Sequence, residues 1–131
     1  MSLYVFFIPK IRIWALETIK KSKYVALFPP PTIGEKHYHG VGFATCTKLV
    51  KHLKGVFPVG ISERLMTMSF PLEGSTLSII SAYAPTLNQS DEEKDSFYGA
   101  LRDAIDRVPY SNKLLVMGDF NARVGCDYDS W

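Results

Sequence analysis

Leu114-Leu115-Val116-Met117-Gly118-Asp119-Phe120-Asn121-Ala122-Arg123 is an apolar run that ends abruptly in Gly, Asp, an aromatic residue and Asn. Side chains alternate faces along an extended chain, so residues two apart point the same way. The run therefore predicts a strand that delivers the Asp119 carboxylate and the Asn121 carboxamide to one pocket, with Phe120 turned into the core. Gly118 removes the side chain next to the Asp, so that backbone or substrate can come close. An ionised Asp only accepts hydrogen bonds, whereas an Asn amide both donates and accepts. Together they suit the removal of a proton from water and the holding of a phosphoryl oxygen. Gly, Asp and Asn also favour turns after strands, and a plain turn explains them equally well.

Upstream, Leu77-Ser78-Ile79-Ile80-Ser81-Ala82-Tyr83-Ala84-Pro85-Thr86 is a second apolar run. Pro85 removes a backbone donor and biases Ala84 toward extended geometry, so ladder pairing should stop where Tyr83 is displayed. Between the two runs, Ser90 followed by Glu93 forms a capping box. Phe97, Ala100, Leu101, Ala104, Ile105 and Val108 then recur at helical spacing, which predicts a helix over 91–107 ending before Pro109. A helix between two strands is a crossover, so the Tyr83 and Asp119 strands can lie parallel or as neighbours in one sheet. Tyr83 and Asp119 then emerge at the same edge. Residues 62–71 alternate moderately, and Leu72-Glu73-Gly74-Ser75 supplies a turn that makes them a hairpin with the Leu77 strand. Residues 38–45 read as a strand with Gly42 as its weak point, and 47–54 as a short helix or irregular crossover ending at Gly55.

The two runs resemble the endonuclease/exonuclease/phosphatase superfamily, whose strands end in a Tyr-x-Pro and a Gly-Asp-Phe-Asn. The likeness is closer still to the endonuclease domains of LINE-type (non-LTR) retrotransposons and to the craniofacial development protein 2-like proteins derived from them. It is carried by His37-Tyr38-His39-Gly40-Val41-Gly42-Phe43-Ala44, Arg64-Leu65-Met66-Thr67, Ser81-Ala82-Tyr83-Ala84-Pro85-Thr86 and Met117-Gly118-Asp119-Phe120-Asn121-Ala122-Arg123-Val124-Gly125. The resemblance implies an α+β chain with a partial four-layer αββα sandwich of DNase I-like fold, lacking the first strand and the C-terminal strands. It implies a poorly matched segment over 1–33 and a truncated domain over 34–131.

The activity implied is Mg²⁺-dependent phosphodiester hydrolysis, with Mn²⁺ an alternative, and DNA is the implied partner. In such enzymes the residue matching Asp119 lies by the attacking water, that matching Asn121 orients the Asp and the phosphate, and that matching Tyr83 supports the phosphorane or leaving group. The family's metal-binding Glu survives here as Glu17 in Ala15-Leu16-Glu17-Thr18; an exposed Glu answering Lys20 and Lys21 is the alternative. Asp119 also serves as a metal-site carboxylate, in keeping with a hard cation that takes few carboxylates and keeps its waters. No residues up to Trp131 match the family's later Asp or its terminal Asp-His pair, and none of His37, His39 and His52 lies in a motif that replaces that His. Residues that act as one catalytic unit are strongly non-additive. The expectation is therefore a weak or inactive fragment, with a non-catalytic binding module, or a phosphatase or phosphodiesterase of the same superfamily, as alternatives.

Further residues carry weaker expectations. Arg64 answers either a phosphate or a neighbouring Glu63 or Glu73. Thr86 and Asn88 sit where loop residues contact a nucleic-acid backbone, although they are also turn formers. His37 and His39 share a strand face without a third ligand nearby. The net charge of +2 gives no overall argument for nucleic acid, although lysines gather at 20–23, 36 and 48–54. Cys46 and Cys126 form no Cys-x-x-Cys, which fits free thiols in an intracellular compartment, nuclear or cytoplasmic. Residues 1–9 are too short an apolar run to span a bilayer and read as a buried strand or foreign sequence. The absence of later strands predicts an exposed apolar sheet face and an unpaired edge that invite self-association.

Overall fold

The computed structural model describes residues 5–9, 24–27, 41–47, 56 and 58–122. Among the described residues, seven strands and one helix follow in the order β1 (Val5–Pro9), β2 (Tyr24–Leu27), β3 (Val41–Cys46), β4 (Val59–Ser62), β5 (Leu65–Leu72), β6 (Ser75–Tyr83), α1 (Asp91–Asp106) and β7 (Lys113–Asp119). They build two sheets, one in the order β1-β3-β2 and one in the order β4-β5-β6-β7. β3 is antiparallel to both neighbours, with Phe7 opposite Phe43 and Val25 opposite Thr45. Strands on both sides of position 34 thus share one sheet.

β5 and β6 form the expected hairpin. Leu72 pairs with Ser75 across Glu73 and Gly74, and Gly74 takes φ +73°, the left-handed backbone that such a turn demands. The strand expected over 62–71 is corrected at its start. The chain turns at Glu63 and Arg64, where the Ser62 hydroxyl accepts the Arg64 backbone N–H at 3.2 Å. The residues before this turn form a further antiparallel strand, β4, with an irregular register between Gly60 and Ser62. A short-range serine turn interrupts an alternation that reads as continuous in the sequence.

The capping box forms as expected. Ser90 Oγ accepts the Glu93 N–H at 3.2 Å and Glu93 Oε2 accepts the Ser90 N–H at 3.3 Å. From this cap α1 carries the chain back across the sheet, and β7 pairs with β6 in parallel. Two apolar layers result. Between the sheets lie Val41 and Phe43 of β3 against Met66, Met68 and Phe70 of β5 and Ile79 of β6, all buried. On the outer face, Leu65, Ile80, Ala82 and Ala84 pack against Phe97, Leu101 and Ala104 of α1. β6 is buried on both faces from Ser78 to Ala82, where each face is covered, whereas the outer face of β5 is buried at Leu65 and opens to solvent at Ser69. Sheet, sheet and helix are three successive layers of the expected αββα arrangement. The crossover expected over 47–54 lies outside the described residues beyond Thr47.

Candidate functional site

Register places the site. β6 and β7 run in parallel with Leu77 beside Lys113, Ser81 beside Met117 and Tyr83 beside Asp119, so both strands end together. Tyr83 and Met117 pack on the layer between the sheets, whereas Ala82, Val116 and Phe120 pack toward α1. Alternation therefore assigns Tyr83 and Asp119 to the same inner face. One strand further on, Leu65 pairs with Ala82. Arg64 precedes Leu65 and shares the parity of Met66 and Met68, which puts it in the same row. Three neighbouring strands thus bring Arg64, Tyr83 and Asp119 side by side at one end of the four-stranded sheet.

The row is fastened by backbone bonds. The Tyr83 N–H donates to the Arg64 carbonyl at 2.9 Å, and the Ala84 N–H donates to the Asp119 carbonyl at 2.8 Å. Arg64 meets neither Glu63 nor Glu73: among the described residues the ion pair present is that of Lys94 with Asp91. Instead its guanidinium lies over the Tyr83 ring, 5.4 Å from the centroid, and Nη1 is 3.5 Å from the Tyr83 carbonyl oxygen. A cation over the ring face is attracted by the aromatic quadrupole and restrains the ring's orientation.

Asp119 and Asn121 come together by a route other than the expected strand alternation. β7 stops at Asp119, and Asn121 takes φ +46°, a left-handed backbone in which Asn is enriched among non-glycine residues. The Asn121 N–H donates to Asp119 Oδ1 at 2.9 Å. The Asn121 carboxamide donates through Nδ2 to the Ala84 carbonyl at 2.7 Å. Turn and site are thus the same structure. The turn holds Asp119 by one oxygen, leaving its second oxygen uncommitted among the described residues, and ties the end of β7 to the end of β6. Phe120 packs on the helix-side layer, as expected.

Gly118 is required by close approach. A Cβ there would lie 1.8 Å from the Ala82 carbonyl oxygen, and its φ is +155°. The space left by the missing side chain is filled by backbone of the neighbouring strand. Sequence reasoning missed Ala84, whose backbone N–H and C=O both serve the site while its side chain is fully buried. Its signal lay in the small residue ahead of Pro85, which reads as a strand end and says nothing of which partner closes it. Two residues further into the sheet than Tyr83, on the same face, the Ser81 hydroxyl is fully buried and without a hydrogen-bond partner among the described residues, as is Thr45 Oγ1 of the facing sheet.

Thr86 and Asn88 are exposed on the loop between β6 and α1, where Gln89 N–H donates to the Thr86 carbonyl at 3.0 Å. Glu17, His37, His39, His52 and the lysines at 20–23, 36 and 48–54 lie outside the described residues. Among the described residues no group of three His, Cys, Asp or Glu side chains converges on a common point. No helix of the described residues is long and apolar enough to cross a membrane.

No family model matches the chain. It is similar to craniofacial development protein 2 of Bos taurus, 31% identical over 64 residues, which is 49% of this chain and 11% of that protein. It is similar to the same protein of Tragulus javanicus, 30% identical over 64 residues with the same coverage. The chain thus spans about a tenth of the length of these curated relatives. In structure it is similar to D. rerio TDP2, solved in complex with a single-strand DNA product. The TM-score is 0.64 at 15% identity, over 92% of this chain and 48% of that one. The order of the strands and these likenesses show a partial α+β domain of DNase I-like fold, and support its resemblance to the endonuclease/exonuclease/phosphatase superfamily.

Proposed function

We propose that this chain is part of a divalent-metal-dependent endonuclease domain that nicks DNA in the manner of retrotransposon endonucleases, with low activity on its own. The observation that carries the reading is the register of β6 and β7, which sets Tyr83 and Asp119 side by side at the open end of a parallel strand pair. The likeness to TDP2, solved with a single-strand DNA product, supports DNA as the substrate class. The likeness to craniofacial development protein 2 supports the retrotransposon-type branch.

The chemistry follows from the free atoms. Asp119 is exposed, held at Oδ1 by the Asn121 N–H, and presents its other oxygen to solvent. That oxygen takes the proton of a water as the water oxygen bonds to phosphorus. The phosphorus bond to the leaving sugar oxygen breaks, and that oxygen is then protonated. The Tyr83 hydroxyl donates a hydrogen bond to the phosphoryl or leaving oxygen as charge develops there. Arg64, above the Tyr83 ring, adds positive charge on the same side, and Thr86 and Asn88 offer exposed polar groups to the nucleic-acid backbone.

The donor set fits a hard divalent cation. A single exposed carboxylate suits Mg²⁺, which takes one or two carboxylates and keeps several waters. Asp119 would hold it, with Glu17 as the second protein ligand. When bound, the ion neutralises phosphate charge and lowers the barrier to attack by water.

Nicking of supercoiled plasmid tests the reading. Purified chain nicks with Mg²⁺ and not with EDTA, and Asp119→Asn, which keeps the shape and removes the base, lowers the rate by roughly a hundredfold or more. Equal nicking by that variant, or no metal-dependent nicking by folded wild-type chain, overturns the assignment. In the second case salt-sensitive DNA binding without cleavage would identify a binding module.

A further inference from the structure

Arg64 is rooted on both sides of its own backbone. Its N–H donates to the Ser62 hydroxyl at 3.2 Å, and its carbonyl accepts the Tyr83 N–H at 2.9 Å. The turn between β4 and β5 therefore delivers this side chain from a fixed point beside the end of β6. The head group is placed as closely: it lies 5.4 Å from the centroid of the Tyr83 ring, with Nη1 3.5 Å from the Tyr83 carbonyl oxygen. A planar guanidinium suits an aromatic face in this way. An arginine that serves only as a charge for the nucleic-acid backbone needs no ring beneath it.

Tyr83 has need of the restraint. It is the last residue of β6, half-buried, and its ring packs at the margin of the apolar layer between the sheets. A ring in that position can change rotamer unless a second group covers it, and the Arg64 guanidinium supplies the cover. Placement matters for the role proposed for the hydroxyl, because a misplacement of about 1 Å can cost about a hundredfold in rate.

We infer that Arg64 is a positioning residue of the candidate site: it acts through Tyr83, its guanidinium fixing the ring whose hydroxyl serves the phosphoryl group, and Ser62 in turn fixes Arg64. The inference rests on the proposed hydrolysis of DNA, and it makes the β4–β5 turn part of the site. The work of Arg64 is then to orient a neighbouring side chain, beyond any charge it offers to DNA.

A double-mutant cycle in Mg²⁺-dependent plasmid nicking tests it. Arg64→Met keeps an unbranched stem and removes the planar cation. It should lower kcat roughly tenfold with KM little changed, and cause no further loss in a Tyr83→Phe background, where no hydroxyl remains to be placed. Ser62→Ala should lower kcat by a smaller factor, again only while the Tyr83 hydroxyl is present. An arginine that only holds DNA gives another pattern, KM raised by the same factor in both backgrounds, and that result overturns the inference. Should Arg64→Met fail to fold, Arg64→Lys takes its place. It keeps a cation for DNA without the planar face, so kcat should still fall in the wild-type background alone, and an unchanged kcat overturns the inference.

Fluorine NMR separates this inference from the nuclease reading. In chain labelled with fluorotyrosine at its seven tyrosines, the Tyr83 line is the one missing from Tyr83→Phe. In Arg64→Met that line should shift while the other six keep their places, whether or not the chain cuts DNA. A folded wild-type chain that does not nick overturns the nuclease reading, and a shifted Tyr83 line then still supports the placement of the ring by Arg64. A Tyr83 line that does not move overturns the inference, even in a chain that nicks.

Discussion

Gly118 is the tightest point of the site. Because a Cβ would meet the Ala82 carbonyl oxygen at 1.8 Å, Gly118→Ala has to push β6 and β7 apart exactly where Tyr83 and Asp119 are set in register. That backbone cannot yield as a flexible side chain would. The variant should lose roughly 3 kcal/mol or more, read as a lower denaturation midpoint in urea. Asn121 makes a second prediction. Asn121→Ala removes the donor to the carbonyl of fully buried Ala84 and forces alanine into φ +46°. An unpaired buried carbonyl costs about 1–3 kcal/mol. Asn121→Gly relieves the backbone strain but not the lost bond, so it should fall between wild type and Asn121→Ala. At this scale the sequence marked Tyr83, Asp119 and Asn121 as residues at strand ends, since Gly-Asp-Phe-Asn and Tyr-Ala-Pro stop their ladders, and the register brings those ends together. It did not disclose that Asn121 reaches Ala84, because a left-handed residue leaves the strand alternation from which its direction was inferred.

Among the elements, α1 was the most legible, because its start signal and its apolar stripe are both local. Its cap gives a direct prediction: Ser90→Ala removes the acceptor for the Glu93 N–H and should cost about 1 kcal/mol. The same turn carries a pH dependence. A backbone hydrogen bond, then one from the Ser90 side chain, hold the exposed Glu92 carboxyl below its ordinary value of 4.5. A carboxyl whose folded value is depressed stabilises the protein fully above its unfolded value. That contribution is lost as pH falls through the lower folded value. Thermal melting should therefore show a loss of stability in acid below pH 4.5 that is smaller in Ser90→Ala, since one of the two bonds is already gone. β4 was not legible. It is only four residues long, and the turn that separates it from β5 rests on one serine bond rather than on Gly or Pro. The parallel pairing of β6 with β7 was one of the arrangements allowed by a helical crossover, but its exact register depends on Gly118 packing against Ala82.

Across the whole molecule, the two sheets meet through a layer in which Phe43, Met66, Met68, Phe70 and Ile79 are buried, yet Thr45 and Ser81 lie in it with hydroxyls that find no partner among the described residues. Neither residue stands out in sequence. Threonine is an ordinary strand residue and Ser81 belongs to an otherwise apolar run, so only the packing of β3 on β5 and β6 shows that these positions are sealed from water. Burying a hydroxyl without a partner costs free energy, whereas replacing it with an apolar group of similar shape removes that cost. Thr45→Val keeps the branched shape and Ser81→Ala keeps all but the oxygen. Each should raise stability by about 1 kcal/mol, in contrast to Phe43→Ala in the same layer, which should lower it by roughly 3–5 kcal/mol. The sign of the Ser81 result is informative for the site as well as for the fold. Ser81 lies two residues inward of Tyr83 on the same face, beside Met117 in the register. If Ser81→Ala stabilises the chain and leaves any Mg²⁺-dependent nicking intact, the hydroxyl only burdens the core. If it destabilises the chain, the buried hydroxyl has a partner in solution, and the prediction of an unpaired group beneath Tyr83 is wrong. Urea denaturation of the two substitutions, singly and together, decides between these outcomes.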